Sequence, residues 1–119
     1  MSSSIEEKEG YILHKAKGLY TYQDMKGLIE YLDPLQEKNP NARVLLDYSE
    51  TTGYEEKTLK IAYERIDKGF PKGTKTAIVY QRKGLLKFIL NVVARAMIRN
   101  AKFFQDPQEA KEWLLDQAS

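Results

Sequence analysis

Apolar and polar positions alternate along this chain with two different periods, and the switches between them mark its elements. Tyr11-Ile-Leu-His-Lys-Ala-Lys17 is rich in strand formers and follows Glu9-Gly10, a hairpin turn signal, so a short first strand near Ile5–Lys8 can fold back onto it. Gly18 is expected to end that second strand. Thr21 is placed to cap a helix, with Asp24 in the third position after it. Met25, Leu28, Ile29 and Leu32 then follow at i, i+3, i+4 and i+7, an amphipathic stripe expected to end at Leu32, ahead of Pro34. Arg43-Val-Leu-Leu-Asp-Tyr-Ser49 reads as a buried strand, and Ser49–Gly53 as the loop after it. Leu59, Ala62, Tyr63 and Ile66 repeat the helical spacing up to Gly69, and Lys75–Tyr80 is a further apolar strand. Residues 85–99 predict a helix and Ala101–Gln105 a short strand. Asp106-Pro107-Gln108-Glu109 then opens a last helix whose apolar face is Ala110, Trp113 and Leu114. Strands separated by crossover helices predict an α/β fold, a largely parallel sheet covered by about four helices.

The 119 residues suit one domain, 1–119, built around one core. Eight Tyr, four Phe and one Trp with a net charge of +2 argue against disorder. The acidic start after Met1 is not a signal peptide, and no apolar run reaches the roughly 18–20 residues of a membrane span. A cytoplasmic protein is the expectation. With no cysteine there is no disulfide, thiolate nucleophile or cysteine-based metal site, and one histidine cannot supply two imidazoles. Nucleotide-binding, zinc-protease and serine-hydrolase signatures do not occur, so the expectation is a non-enzymatic chain with no cofactor and no metal. The lone His14 reads as a structural or solvent-facing strand residue. Acid or base chemistry at His14 or Asp47 is a remote alternative.

Three features stand out as candidate surfaces. The first is the segment Asp47, Ser49, Thr51, Thr52 and Gly53, expected at the carboxyl end of a central strand, where α/β sheets meet ligands and partners. The following helix N-terminus would suit an anion or a phosphorylated hydroxyl there, although the same residue types also build ordinary turns. The second is charge: residues 69–105 carry eight basic and no acidic side chains, while residues 1–68 and 106–119 each sum to −3. This block, with Arg82, Lys83, Arg95 and Arg99 as candidate anion contacts, suits an acidic neighbour or a peripheral membrane surface. It lacks the aromatic interleaving of a single-strand platform, so no nucleic acid is expected. The third is the helix 85–99. Lys87, Asn91, Arg95 and Arg99 make one narrow polar stripe, whereas Leu85, Phe88, Ile89, Val92, Val93 and Met97 belong to an apolar surface wider than the arc of about 100° that one sheet face buries. A partner protein or second copy, with a dimer favoured, an apolar ligand, a membrane surface or fully internal packing could cover it.

Four stretches carry a resemblance to a known family: Gly18–Asp24 entering the first helix, Arg43-Val-Leu-Leu-Asp47, Lys75-Thr-Ala-Ile-Val79, and Phe103-Phe-Gln-Asp-Pro-Gln-Glu-Ala-Lys-Glu-Trp-Leu114. Together they resemble the SpoIIAA-like family, which shares the STAS-domain fold of anti-sigma-factor antagonists and is similar to the CRAL-TRIO lipid-transfer domain. The resemblance implies a STAS-like α/β fold, a mixed, mainly parallel sheet of four to five strands with an antiparallel N-terminal edge and about four helices. It implies no established catalytic activity, and the expected function is a non-enzymatic STAS-like regulatory domain that docks on a partner protein or its own copy. It also implies an alternative, a carrier or sensor of a small apolar or lipid-like anion held against helix 85–99. STAS antagonists are phosphorylated on a serine or threonine at a helix N-terminus. Asp47 matches their strand-end aspartate, while Ser49-Glu-Thr-Thr-Gly53 differs in spacing from their Asp-Ser-Ser-Gly-like segment, which leaves Thr51 and Thr52 as positional analogues.

Overall fold

A computed structural model describes residues 3–68, 74–81 and 101–116. Its elements in chain order are β1 (Ser3–Lys8), β2 (Tyr11–Tyr20), α1 (Tyr22–Lys38), β3 (Arg43–Tyr54), α2 (Glu56–Asp67), β4 (Lys75–Val79), β5 (Ala101–Phe104) and α3 (Pro107–Leu115). The strands form one sheet in the order β1-β2-β3-β4-β5, antiparallel between β1 and β2 and parallel in every other pairing. This is the predicted mixed α/β architecture, with three helices among the described residues. The expected helix 85–99 lies outside them, as does Gly69, the expected end of α2.

Strand alternation sorts the side chains into two cores. Ala16 and Tyr20 of β2, Tyr48 of β3 and Ile78 of β4 share one face, packed with Met25 and Leu28 of α1 and Ala62 of α2. Leu45 of β3 and Ala77 and Val79 of β4 face the other way, onto Ala110 and Leu114 of α3. Central strands covered on both faces need continuous apolar runs, which is why Val44-Leu45-Leu46 and Ala77-Ile78-Val79 do not alternate in polarity.

Local signals set the starts of elements. Glu9-Gly10 closes the β1–β2 hairpin with Gly10 at φ +90°, and Lys8 stands opposite Tyr11. Thr21 and Asp24 form a reciprocal capping box on α1. Asp106 caps α3 by accepting from Gln108 N at 3.1 Å, with Pro107 in the first turn. Asp106→Ala is expected to lower stability by about 1 kcal/mol, the usual value of an N-cap. Urea unfolding of the two chains measures it, and equal midpoints would show that the cap contributes nothing.

Three boundaries differ from the pattern-based expectation, each because a tertiary partner outweighs a local signal. β2 passes through Gly18, which sits at φ +67°, and continues to Tyr20. β3 runs on through Ser49–Gly53, the predicted loop, because the extended β2 offers it a partner: Lys17 pairs with Glu50, Gly18 with Thr51, Leu19 with Gly53 and Tyr20 with Tyr54, with irregularities absorbing the slips. α1 continues past Pro34 to Lys38, since Arg65 of α2 forms an ion pair with Asp33 and donates to Gln36 Oε1 at 3.2 Å, holding the turn that the proline weakens.

Candidate functional site

The sequence-selected residues Asp47, Ser49, Thr51, Thr52 and Gly53 all lie on β3, and strand geometry separates them. Asp47 is buried, and its Oδ1 accepts from the Ser49 amide at 3.0 Å and the Ser49 hydroxyl at 2.6 Å. Thr51 is buried and donates to the Tyr48 carbonyl. Thr52 is exposed, and Gly53 lies beside Leu19, a leucine 51% exposed at the end of β2. Of the three hydroxyls, one is tethered, one is inside and one faces solvent.

Charge around this end of the sheet is already paired. Lys15 and Lys17 reach Glu50 at 3.1 and 3.9 Å, and the hydrogen bond and charge of Lys15 hold the Glu50 carboxyl below its usual range. The N-terminus of α1 meets carboxylates too. Glu55 Oε1 accepts from Tyr22 N at 2.8 Å, and Asp24 Oδ2 accepts from Thr21 N at 2.9 Å. The Glu55 amide donates to the Tyr20 carbonyl at 3.0 Å, fastening the start of α2 to the end of β2.

Beneath this surface is a polar cluster that the sequence reading missed. His14 and Tyr20 are 0% exposed and Tyr48 is 2% exposed, with Tyr20 and Tyr48 ring centroids 4.8 Å apart. His14 Nδ1 lies 3.0 Å from the Ser4 carbonyl, His14 Nε2 2.9 Å from the Tyr20 hydroxyl, and the Tyr48 hydroxyl 3.2 Å from that of Tyr20. A carbonyl only accepts, so the proton of the neutral ring sits on Nδ1 and Nε2 accepts from Tyr20. Tyr20 in turn accepts from Tyr48. Burial lowers the His14 pKa and raises those of both tyrosines, which keeps the trio uncharged with each proton in a set place. The signal for the cluster was in the alternation: Ile12, His14, Ala16 and Tyr20 are the buried residues of β2, all at even positions of the strand.

The basic block also divides. Lys75, one of the eight basic residues of 69–105, is 3% exposed; its Nζ donates to the Trp113 and Asp116 carbonyls at 2.7 and 3.2 Å and stands 4.3 Å from the Trp113 ring centroid. Arg43 Nη1 donates to the Leu114 carbonyl at 2.6 Å. The two cations hold the carboxyl end of α3, where helix carbonyls lack partners. Burial and the neighbouring Arg43 lower the Lys75 pKa. Lys102 is exposed. The candidate anion contacts Arg82, Lys83, Arg95 and Arg99 and the apolar set Leu85, Phe88, Ile89, Val92, Val93 and Met97 lie outside the described residues. Among the described residues no group of three or more His, Cys, Asp or Glu side chains is placed to hold a metal, and no helix is long and apolar enough to cross a membrane.

A five-stranded sheet with an antiparallel β1–β2 edge, α1 and α2 on one face and α3 on the other defines the STAS-like class of α/β proteins. Within it, the SpoIIAA-like family model matches residues 12–115, and the chain belongs to that family. Its fold is similar to that of an uncharacterized protein with a SpoIIAA-like fold from Shewanella loihica. That match has 27% identity and a TM-score of 0.59 over 94% of this chain and 91% of the other. It is also similar in fold to a putative anti-sigma factor antagonist from Thermotoga maritima, at 13% identity and a TM-score of 0.66 over 96% of this chain and 95% of the other. No curated protein matches the chain.

Proposed function

We propose that the chain is a non-enzymatic regulatory domain of the cytoplasm, acting as one unit over residues 1–119, that works by docking on a partner protein or on its own copy. The observation that carries this reading is the family match over residues 12–115, joined to a fold shared with a putative anti-sigma factor antagonist. The docking surface in this reading is the end of the β2–β3 ribbon. It offers the exposed Thr52 hydroxyl, the exposed Leu19 side chain and the half-buried Tyr54, and hydroxyls and apolar groups side by side are what a protein interface uses. Thr52 is also the hydroxyl of this segment that a modifying enzyme could reach, since Thr51 is buried and Ser49 is bound to Asp47.

The test places a photo-crosslinking residue at Thr52 and, as a control, at the exposed Lys26 on α1, in cells of the source organism. A discrete protein adduct from position 52 and none from position 26 is the expected result. Equal labelling from both positions, or none from position 52, overturns the proposed surface. Native mass spectra before and after organic extraction address the alternative directly: recurrent extractable apolar mass on a monomer would replace the docking reading with the carrier reading.

A further inference from the structure

Along the ladder it shares with β2, β3 carries two residues more than its partner. Between the pairs Lys15–Asp47 and Lys17–Glu50 it gains one, so Tyr48 and Ser49 stand against Ala16 alone. Between Gly18–Thr51 and Leu19–Gly53 it gains a second, Thr52. Each is a bulge, and a bulge re-aims the side chains that follow it. Tyr48 belongs to the core packed by α1 and α2, and in a regular strand Glu50 would share that face. It stands instead beside Lys15 and Lys17. Continued without bulges from Lys15–Asp47, the register would set Thr52 opposite Tyr20, which is 0% exposed. With them, Tyr54 takes that place and Thr52 is exposed.

A bulge takes a peptide out of the ladder and leaves its polar groups to find other partners. In the first bulge, side chains supply them. Both polar groups of the peptide joining Tyr48 to Ser49 are met from the flanking residues: the Ser49 amide donates to Asp47 Oδ1 at 3.0 Å, and the Tyr48 carbonyl accepts from the Thr51 hydroxyl. The Ser49 hydroxyl adds a bond of 2.6 Å to the same Asp47 oxygen. Asp47, Tyr48 and Thr51 are all buried, so water is poorly placed to replace either side chain.

We propose that Asp47 and Thr51 are positioning residues whose side chains lock the bulge of β3, setting Glu50 beside Lys15 and Lys17 and keeping Thr52 outward at the end of the ribbon. The proposal deepens the docking reading above and rests on it for the role of Thr52. Sliding β3 back by one residue would bring Glu50 opposite Gly18, on the face of Ala16 and Tyr20, and take its carboxylate away from both lysines. The clamp and the ion pairs therefore favour the same register. Without the clamp, the peptide after Tyr48 loses its partners and the ribbon end beyond it loosens.

NMR on the full chain reads the clamp with no partner present. Cross-strand NOEs are expected between Lys17 and Glu50 and between Leu19 and Gly53. Thr51→Val keeps the shape of the side chain and removes the donor to Tyr48, while Asp47→Leu removes the acceptor for Ser49. Each should weaken those NOEs and lower amide protection over Glu50–Tyr54 by about tenfold, while Val44 of β3 and Ala77 of β4 keep theirs. Thr51→Ser retains the hydroxyl and should restore both, which keeps the test decisive even if Asp47→Leu does not fold. In cells, the photo-adduct from position 52 should fall in Thr51→Val and return in Thr51→Ser. Unchanged NOEs and protection in Thr51→Val, equal loss at Val44 and Ala77, or a position-52 adduct that ignores a loosened ribbon overturns the proposal. Loosening in the variants together with no adduct from wild-type position 52 supports the clamp and overturns the docking surface alone.

Discussion

Tyr20→Phe is expected to destabilise the fold by about 3 kcal/mol although it removes one oxygen and leaves the packing shape unchanged. Tyr20 is the middle of the chain Tyr48–Tyr20–His14, so losing its hydroxyl strands two buried groups at once: Nε2 of His14 loses its donor and the Tyr48 hydroxyl its acceptor. Each stranded polar group costs about 1–3 kcal/mol where water cannot reach it. Tyr48→Phe is the control. It removes only the end donor, so its cost should stay near 1 kcal/mol, since the Tyr20 oxygen retains its own bond to His14. Urea unfolding at pH 7 measures both. Equal losses for the two variants would contradict the direction of donation assigned here, and a negligible loss for Tyr20→Phe would show that the cluster adds little to stability.

Lys75→Met is expected to cost about 2 kcal/mol by a different route. Methionine keeps most of the length of the side chain but removes the charged donor from the Trp113 and Asp116 carbonyls and from the face of the Trp113 ring. Hydrogen bonds from a charged group contribute about 1.5–3 kcal/mol, and a cation over an indole face about 0.5–2, against which the amine no longer has to be desolvated. Arg43 still holds the Leu114 carbonyl, so α3 should stay docked with a looser end. Trp113 is the only tryptophan of the chain, which makes its emission a local reporter. The variant should shift that emission as well as the urea midpoint. An unchanged midpoint with unchanged emission would mean that Lys75 does not hold α3.

The candidate site was legible in the sequence by residue type and hidden by geometry. Asp47, Ser49, Thr51, Thr52 and Gly53 stand close together along the chain, and in a loop they could converge on one ligand. On a strand, neighbours point to opposite faces, so Asp47 and Thr51 go inside while Thr52 meets solvent. Composition could not reveal this, because Asp, Ser, Thr and Gly serve turns and bulged strands equally. Lys75 shows the same limit: its sequence neighbours are polar, and its burial comes from α3, more than thirty residues away along the chain. His14 looked isolated because its partners, Ser4, Tyr20 and, through Tyr20, Tyr48, come from three strands.

What the sequence by itself determined were the features that depend on a few consecutive residues or on a repeating period. These are the Glu9-Gly10 turn, the Thr21–Asp24 capping box, the Asp106-Pro107 helix start, the mixed α/β order of elements and the family to which they belong. Tertiary structure alone decided how far β2 and β3 extend, whether α1 survives Pro34, which polar side chains lie inside and which hydroxyl of the candidate segment faces solvent. The physical reason is the range of the interactions. Capping and turn formation are settled within one helical turn or hairpin, whereas strand length and polar burial depend on partners that only folding brings within hydrogen-bonding distance.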